Sequence, residues 1–242
     1  MVAHSEQLLI QYARLSKLPR LTVEQDWLSP LEQDECGRWH ATDRRQMWLA
    51  GRWIAKQLIR QNVLGLSTRA ADISVQSIDD QGRTARPRIM VGDHPQTEWC
   101  LSITHTTRGV LVALVTARDT RVGIDLCERR PYPPGFTSTW FTHQEQKRLD
   151  PGQQELIGRT WAAKESIYKA CNHGEPFAPR CIEVSWDTSS TVCRYGDYVF
   201  GNELVLETWI VDNQIAVSAV ITGLEKSAIC PRNDTFLRKC PP

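Results

Sequence analysis

The sequence predicts an α+β fold made of two similar halves, each with a helix and a small antiparallel sheet. In each half, a proline-free helical pattern is followed by short segments in which apolar and polar residues alternate. A proline-rich stretch, residues 131–135, interrupts any regular element between them. We therefore expect an N-terminal half (1–130) and a C-terminal half (131–242, with a polar tail) to pack as a pseudo-dimer within one monomer. Neither half alone would bury its apolar face.

The N-terminal half is expected to fold around one long helix. A short helical pattern covers residues 5–17. From Thr42 onward, apolar side chains recur at the spacing of an amphipathic helix. Two-fold alternation then predicts a small sheet against this helix, with strands at 73–78, 88–91, 99–103, 110–116 and 121–126.

The C-terminal half repeats this order without obvious sequence identity to the first. Thr142 and Glu145 have the spacing of a helix capping box. A second helix is predicted at 154–171, and hairpin turns at Gly201-Asn202 and Asp212-Asn213. The predicted strands are 182–186, 192–200, 203–211 and 214–221.

Composition excludes several classes of protein. A hydrophobic content of 41% is enough for a globular core, and a net charge of +1 provides no field to attract nucleic acid or an anionic membrane. The chain has no 18-residue apolar run, so we expect neither a signal peptide nor a membrane span. Eight cysteines without a C-x-x-C pair argue against structural zinc and predict reduced thiols in the cytoplasm.

Two stretches carry the candidate chemistry. In a helix over residues 161–170, Glu165 lies one turn before Lys169, an arrangement that by itself is more often an ordinary surface pair. The strand-like run 122–128 delivers Asp125 near its end, where an isolated acid is more often a turn residue. The combination is rarer. Gly-Ile-Asp followed by Trp-Ala-x-Lys-Glu-Ser-x-x-Lys-Ala resembles the two signature motifs of the 4′-phosphopantetheinyl transferases.

The resemblance is to the surfactin-type members of that family. It implies two α+β halves with coenzyme A bound between them. It also implies an enzyme that moves the 4′-phosphopantetheine arm to a serine of an apo acyl or peptidyl carrier protein and releases 3′,5′-adenosine bisphosphate. Attack of a hydroxyl on a pyrophosphate requires a base, positive charge for the phosphates and a divalent cation, for which the resemblance implies Mg²⁺.

The resemblance assigns roles to individual residues. Asp125 and Glu165 match the metal ligands, and Glu165 also matches the base. Lys169 matches the lysine near the phosphate or the leaving group, with Lys164 as its neighbour. Together Asp125, Glu165 and Lys169 form the expected catalytic set.

One position departs from the family pattern. Many members carry Asp-x-Glu, whereas this chain has Cys127 at the second position and the acid one residue later, as Glu128. Neighbouring residues of a strand face opposite sides, so Glu128 does not simply replace the missing ligand. Either a water molecule fills this position, or Glu128 does so in a different strand register.

Further residues match the family's coenzyme A contacts. Thr104-His105 stands where the family has Ser-His before a strand. Arg86 precedes a proline in a turn, 82–87, that matches Gly-Lys-Pro with a small insertion. Two arginines match only by their position on the first long helix. The expected contacts are Arg45, Arg52, Arg86, Thr104, His105 and Lys164.

Two other functions compete with this interpretation. A degenerate homologue would bind coenzyme A or a carrier protein without turnover, and Cys127 is the feature that favours it. Alternatively, the Arg/Trp-rich helix at 44–60 would bind nucleic acid through phosphate contacts and stacking. The neutral net charge and the apolar spacing of the tryptophans argue against nucleic acid.

Overall fold

The computed structural model describes residues 8–78, 84–172, 176–186 and 191–223 and confirms the α+β fold. The first elements are β1 (Leu9–Arg14), α1 (Pro30–Gly37), α2 (Thr42–Ile59), β2 (Ile73–Ile78), β3 (Thr84–Val91), β4 (His94–Pro95), β5 (Cys100–His105) and β6 (Gly109–Val115). They are followed by β7 (Thr120–Glu128), α3 (Phe136–Trp140), α4 (His143–Arg148), α5 (Gln154–Cys171), β8 (Ile182–Trp186), β9 (Thr191–Tyr195), β10 (Tyr198–Val199), β11 (Leu204–Val211) and β12 (Gln214–Thr222).

The strands form four antiparallel three-stranded sheets whose topology repeats. The orders are β1-β6-β5 and β2-β3-β4 for the earlier strands, and β11-β12-β7 and β10-β9-β8 for the later ones. Strand β7 therefore takes the place in its sheet that β1 takes in the first sheet. Because β7 pairs with β12 along its whole length, we propose that the second half begins at β7 and not at residue 131.

Two local expectations are wrong. Residues 9–14 form a strand and not a helix, because β1 pairs with the fully buried strand β6, and this long-range pairing outweighs the local helical pattern. The expected hairpin at 201–202 connects two different sheets, and the hairpin turn of this region lies at 196–197. The turn at Asp212-Asn213 is confirmed, with φ angles of 48° and 60°. The predicted turn at 79–82 and the tail from 225 lie outside the described residues.

Helices α2 and α5 confirm the two predicted long helices, and each packs on the sheet of its own half. The core of the first half joins α2 to strands β2, β5 and β6, and that of the second half joins α5 to β8, β9 and β12. In the part of the chain that the structure describes, no helix has both the length and the apolar character needed to cross a membrane.

The cysteines only partly match the expectation of reduced thiols. Cys181 is disulfide-bonded, so the expectation is wrong for this residue. Free thiols are present at Cys36, Cys100, Cys127, Cys171 and Cys193.

A buried ion pair, which we call the first clamp, joins Glu32 of α1 to Lys56 of α2. The ammonium group of Lys56 contacts the Glu32 carboxylate and donates to the Trp27 carbonyl oxygen at 2.8 Å. Glu32 also closes a capping box with Ser29 and accepts a hydrogen bond from the Val75 amide at 3.0 Å. The pair is completely shielded from water.

The same arrangement recurs in the second half, where we call Glu145 of α4 and Lys164 of α5 the second clamp. Their charged groups lie 2.5 Å apart, and Lys164 donates to the Trp140 carbonyl oxygen at 3.3 Å. Glu145 closes a capping box with Thr142 and accepts from the Val184 amide at 2.9 Å. The lysine, the glutamate, the capping residue, the tryptophan carbonyl oxygen and the strand amide of one clamp therefore each have a counterpart in the other.

These counterparts reveal a sequence repeat. Residues 27–32 read Trp-Leu-Ser-Pro-Leu-Glu and residues 140–145 read Trp-Phe-Thr-His-Gln-Glu. Residues 53–56 read Trp-Ile-Ala-Lys and residues 161–164 read Trp-Ala-Ala-Lys. The expectation that the halves lack sequence identity is therefore wrong at these positions. The different spacing between the two motifs in each half conceals the repeat.

If the second half begins at β7, as we propose, side chains of β5 connect the two halves to each other. The Ile124 amide donates to Ser102 Oγ at 3.0 Å, and Thr104 Oγ1 donates to Asp125 Oδ1 at 2.9 Å. Strand β5 thus supplies side-chain partners along β7. The contact places Asp125 at the junction of the halves.

Candidate active site

A glycine allows α5 to lie directly on β7. A Cβ atom on Gly123 would be 1.9 Å from the Ser166 carbonyl oxygen and 2.6 Å from the Ala170 amide nitrogen, both of which are backbone atoms. The Ser166 hydroxyl also donates to the Val217 carbonyl oxygen at 2.8 Å, which holds the helix against β12. This close approach brings the helix residues on either side of Ser166 to the end of β7.

Four of the predicted residues meet there. Lys169 Nζ lies 2.7 Å from Asp125 Oδ1 and 3.5 Å from Glu165 Oε2. It also donates to the Ile124 carbonyl oxygen at 3.2 Å, while Thr104 donates to Asp125. The side chain of Asp125 is only 6% exposed, whereas those of Lys169 and Glu165 are 25% and 27% exposed. The cluster is thus anchored in the protein and open to solvent on one side.

The charged side chains of this cluster shift one another's pKa values. Burial and then the negative charge of Asp125 raise the pKa of Glu165 to about 7. Burial alone would lower the pKa of Lys169, but the charges of Asp125 and Glu165 outweigh it, so that its pKa is raised. Two carboxylates thus share one ammonium group. A further cation would relieve their mutual repulsion.

The donor set suits a hard divalent cation. Asp125 and Glu165 offer carboxylate oxygens, and Mg²⁺ is commonly held by one or two carboxylates, with water and substrate phosphates completing its shell. Within residues 8–78, 84–172, 176–186 and 191–223, no group of three or more His, Cys, Asp and Glu could hold a metal. The two carboxylates therefore fit Mg²⁺ as a partial protein site.

Cys127, the position where the family pattern has an acid, carries a neutral thiol. Burial is the main cause that raises the pKa of Cys127 to about 12, and its Sγ lies 3.3 Å from the Gly158 carbonyl oxygen. A protonated thiol is a poor ligand for a hard cation. Glu128 lies on the other side of the strand, where it accepts a hydrogen bond from Thr107 at 2.7 Å. Cys127 and Glu128 thus contact different parts of the protein, as expected for neighbouring residues of a strand.

His105 and Arg86 lie near the cluster in different ways. His105 stands at the exposed end of β5, and partial desolvation followed by the charge of Lys169 lowers the pKa of its imidazole. Arg86 donates to the carbonyl oxygens of Lys169 and Ala170, at 3.2 and 2.5 Å, and so caps the C-terminus of α5. Gly82 and Arg83 of the expected turn lie outside the described residues.

Two other expected coenzyme A contacts have buried partners of their own. Arg52 Nη2 donates to Glu35 at 3.0 Å and to Ser77 Oγ at 2.7 Å, within the core of the first half. Lys164 belongs to the second clamp. Arg45 lies half-buried in the first turn of α2. The structure therefore brings Asp125, Glu165, Lys169 and Thr104 together but directs Arg52 and Lys164 elsewhere.

Aromatic side chains border the cluster along α5. The rings of Trp161 and Phe177 lie 5.7 Å apart, and those of Tyr168 and Phe177 lie 4.9 Å apart. Trp140, which is 41% exposed, lies 6.0 Å from Trp161. Trp161 and Tyr168 precede and follow Glu165 by about one helical turn. An apolar surface thus flanks the partly exposed carboxylate.

The segment that carries this cluster resembles a known superfamily. Residues 121–219 match the family model of the 4′-phosphopantetheinyl transferase superfamily. The match runs from β7 into β12, so this superfamily segment contains Asp125, Glu165 and Lys169 but neither Thr104 nor His105. A comparison with curated proteins finds no match. The similarity to the superfamily therefore lies in the second half, which carries both carboxylates.

Proposed function

We propose that this protein transfers the 4′-phosphopantetheine arm of coenzyme A to a serine of an apo acyl or peptidyl carrier protein, with release of 3′,5′-adenosine bisphosphate. One observation carries the proposal. Asp125, Glu165 and Lys169 form a single, partly exposed charged cluster within the segment that matches the 4′-phosphopantetheinyl transferase superfamily. The surfactin type and the dependence on Mg²⁺ are parts of the same proposal.

The cluster supplies the groups that this reaction needs. The serine hydroxyl attacks the phosphorus atom that carries the pantetheine arm, and the bond to the adenosine bisphosphate oxygen breaks. We assign the hydroxyl proton to Glu165, a partly exposed carboxylate whose pKa burial and the charge of Asp125 raise in the metal-free protein. Lys169 offers positive charge to the departing phosphate. Mg²⁺, held by Asp125 and Glu165, would supply further charge neutralisation at the pyrophosphate oxygens.

The other predicted site residues fall into two groups, those held by partners within the protein and those proposed to contact coenzyme A. Thr104 orients Asp125 through its hydrogen bond. We propose His105, Arg86 and Arg45 as coenzyme A contacts, His105 foremost because it is exposed and close to Lys169. For Arg52 we propose a structural role in place of the expected contact, because its guanidinium is held by the buried Glu35 carboxylate.

The proposal includes the oligomeric state and the cellular compartment of the protein. The duplicated topology provides two facing halves within a single chain, which supports action as a monomer. We propose the cytoplasm as its compartment, since five of the six cysteines that the structure describes are free thiols and only Cys181 is disulfide-bonded.

The nucleic-acid alternative loses its support from α2. Trp48 and Arg52 are buried, and Trp48 Nε1 donates to Glu35 at 3.0 Å. They cannot stack on bases or contact phosphates without unfolding the first half. The degenerate homologue keeps one supporting observation, the neutral thiol of Cys127.

The deciding experiment is mass spectrometry of a panel of apo carrier proteins incubated with this protein, coenzyme A and Mg²⁺. Addition of one phosphopantetheine group to a carrier supports transfer. If every carrier keeps its mass while calorimetry shows that coenzyme A binds, the degenerate homologue replaces the proposed function.

His105 provides a prediction about coenzyme A binding. His105→Ala is expected to weaken coenzyme A binding about tenfold, because loss of a hydrogen bond to a charged group typically costs about 1.5 kcal/mol or more. The thermal midpoint should not change, since the ring is exposed. Isothermal calorimetry measures the affinity, and His94→Ala, an exposed histidine on β4, is the matched control. Equal affinities of the two variants would remove His105 from the binding site.

Glu165 provides a prediction about pH. Its raised pKa means that the side chain must lose a proton to bind Mg²⁺, so Mg²⁺ affinity should rise with pH up to about 7 and then level off. Below pH 7 the apparent affinity should fall by up to about tenfold per pH unit. Calorimetry in buffers of different ionisation enthalpy measures the released proton. Glu165→Gln controls for titration of the coenzyme A phosphates. If Mg²⁺ affinity depends on pH in this variant as it does in the wild-type protein, the prediction is wrong.

A further inference from the structure

The second clamp leaves Lys164 no donor for a ligand. Its fully buried ammonium group pairs with Glu145 at 2.5 Å and donates to the carbonyl oxygens of Pro179 and Trp140, at 2.9 and 3.3 Å. A lysine ammonium carries three N–H donors, and all three have acceptors here. Lys164 therefore cannot contact coenzyme A without leaving this buried site.

The carboxylate of the clamp is equally engaged. One oxygen of Glu145 accepts from the Thr142 amide at 2.8 Å, and the other accepts from the Val184 amide at 2.9 Å. Through these bonds Glu145 links the N-terminus of α4 to β8, and its ion pair adds α5. The clamp thus fixes α5 to two neighbouring elements at one point along its length.

The first clamp shows that the buried ion pair also occurs without the residues proposed for catalysis. Lys56 pairs with Glu32 and donates to a tryptophan carbonyl oxygen, as Lys164 does with Glu145 and Trp140. The residue after Lys56 is Gln57, however, whereas the residue after Lys164 is Glu165. Similarly, Gln61 stands at the position that corresponds to Lys169. The clamp is therefore present in the half that lacks these charged residues, which favours a role in the fold over contact with a substrate.

We propose that Lys164 is a positioning residue. Successive residues of a helix are about 100° apart around its axis. Fixing Lys164 in the core therefore sets the rotation of α5 that turns Glu165 and Lys169 towards Asp125. The inference rests on the proposed function, and it assigns Lys164 no contact with coenzyme A or with the carrier protein.

The test compares the two clamps in the full-length protein. Lys164→Met, Glu145→Gln and the double variant are compared with Lys56→Met and Glu32→Gln. We expect the second-clamp variants to lose about ten- to a hundred-fold in kcat, because a small displacement of a reacting group has effects of this size. Coenzyme A affinity, measured by calorimetry, should stay within about twofold, since a contact would cost more. The double variant should lose less kcat than the product of the single losses, because both changes break one pair.

The first-clamp variants serve as controls for stability. They should lower the thermal midpoint about as much as the second-clamp variants and leave kcat unchanged. If Lys164→Met does not fold, Glu145→Gln carries the comparison, because it keeps the volume and oxygen acceptor of Glu145. A drop in coenzyme A affinity would overturn the inference in favour of a direct contact. An unchanged kcat at a lowered thermal midpoint would overturn it in favour of a purely structural role.

A readout that needs no turnover separates this inference from the proposed function. In Lys164→Met, hydrogen exchange should accelerate at the amides of residues 165–169, and in Lys56→Met it should accelerate in α2 alone. If the wild-type protein modifies no carrier, the proposed function fails, and exchange still tests the clamp. A uniform acceleration in both variants would overturn the positioning role.

Discussion

Gly123→Ala is expected to destabilise the protein by about 3 kcal/mol or more and to reduce transfer more than about a hundredfold. The added methyl group would lie 1.9 Å from the Ser166 carbonyl oxygen, a backbone atom that cannot rotate away. Helix α5 must therefore move off β7. Since Glu165 and Lys169 are carried by α5 and Asp125 by β7, this movement separates the charged cluster.

The measurement combines urea unfolding with carrier-protein modification at a temperature where the variant is folded. Gly37→Ala is the matched control, because a Cβ atom there would meet no atom within 4 Å. It should leave both stability and transfer nearly unchanged. A Gly123→Ala protein with wild-type stability would show that α5 does not approach β7 as closely as described.

The sequence predicts the strongly periodic elements well. Helix α5 begins and ends at the predicted residues, 154 and 171, and β8 also has its predicted bounds. Apolar periodicity is strong in both, and proline or glycine residues lie close to their ends. The local pattern of residues 9–14 predicts a helix and not strand β1, because β1 depends on pairing with β6, about a hundred residues away in the chain. Local pattern contains no information about such a partner.

The candidate site also combines features that local periodicity predicts with features that depend on distant parts of the chain. The spacing of Glu165 and Lys169 on one helix face, and the opposite orientations of Cys127 and Glu128 on a strand, follow from the periods of helix and strand. The pairing of Lys164 with Glu145 does not follow from these periods. The capping box predicts that Glu145 begins a helix, but only the tertiary structure shows that the same carboxylate pairs with a lysine of α5.

A sequence signal for the clamp nevertheless existed. The six-residue motif that begins at Trp27 is repeated from Trp140, and each copy is followed by Trp-x-Ala-Lys. Two short motifs at unequal spacing are difficult to recognise as a repeat without the contacts that connect them. The repeat marks Lys164 as the counterpart of the buried Lys56.

Asp125→Ala and Glu165→Ala are each expected to reduce transfer by about a thousandfold or more, whereas Glu128→Ala should cost less than about threefold. In the proposed Mg²⁺ site, removing either carboxylate would leave a single protein ligand, and charge neutralisation by a metal contributes several kcal/mol to such reactions. Glu128 faces away from the cluster and loses only its exposed hydrogen bond with Thr107. It is therefore a control on the same strand as Asp125.

The Mg²⁺ dependence of carrier modification distinguishes the roles of these three acids. Glu128→Ala should keep the wild-type Mg²⁺ requirement, and the residual activity of the other two variants should need more Mg²⁺, because a hard cation loses a carboxylate oxygen. Circular dichroism establishes that each variant is folded. If Glu128→Ala loses as much activity as Asp125→Ala while folded, Glu128 is itself part of the metal site. The strand orientation described for residues 125–128 is then wrong.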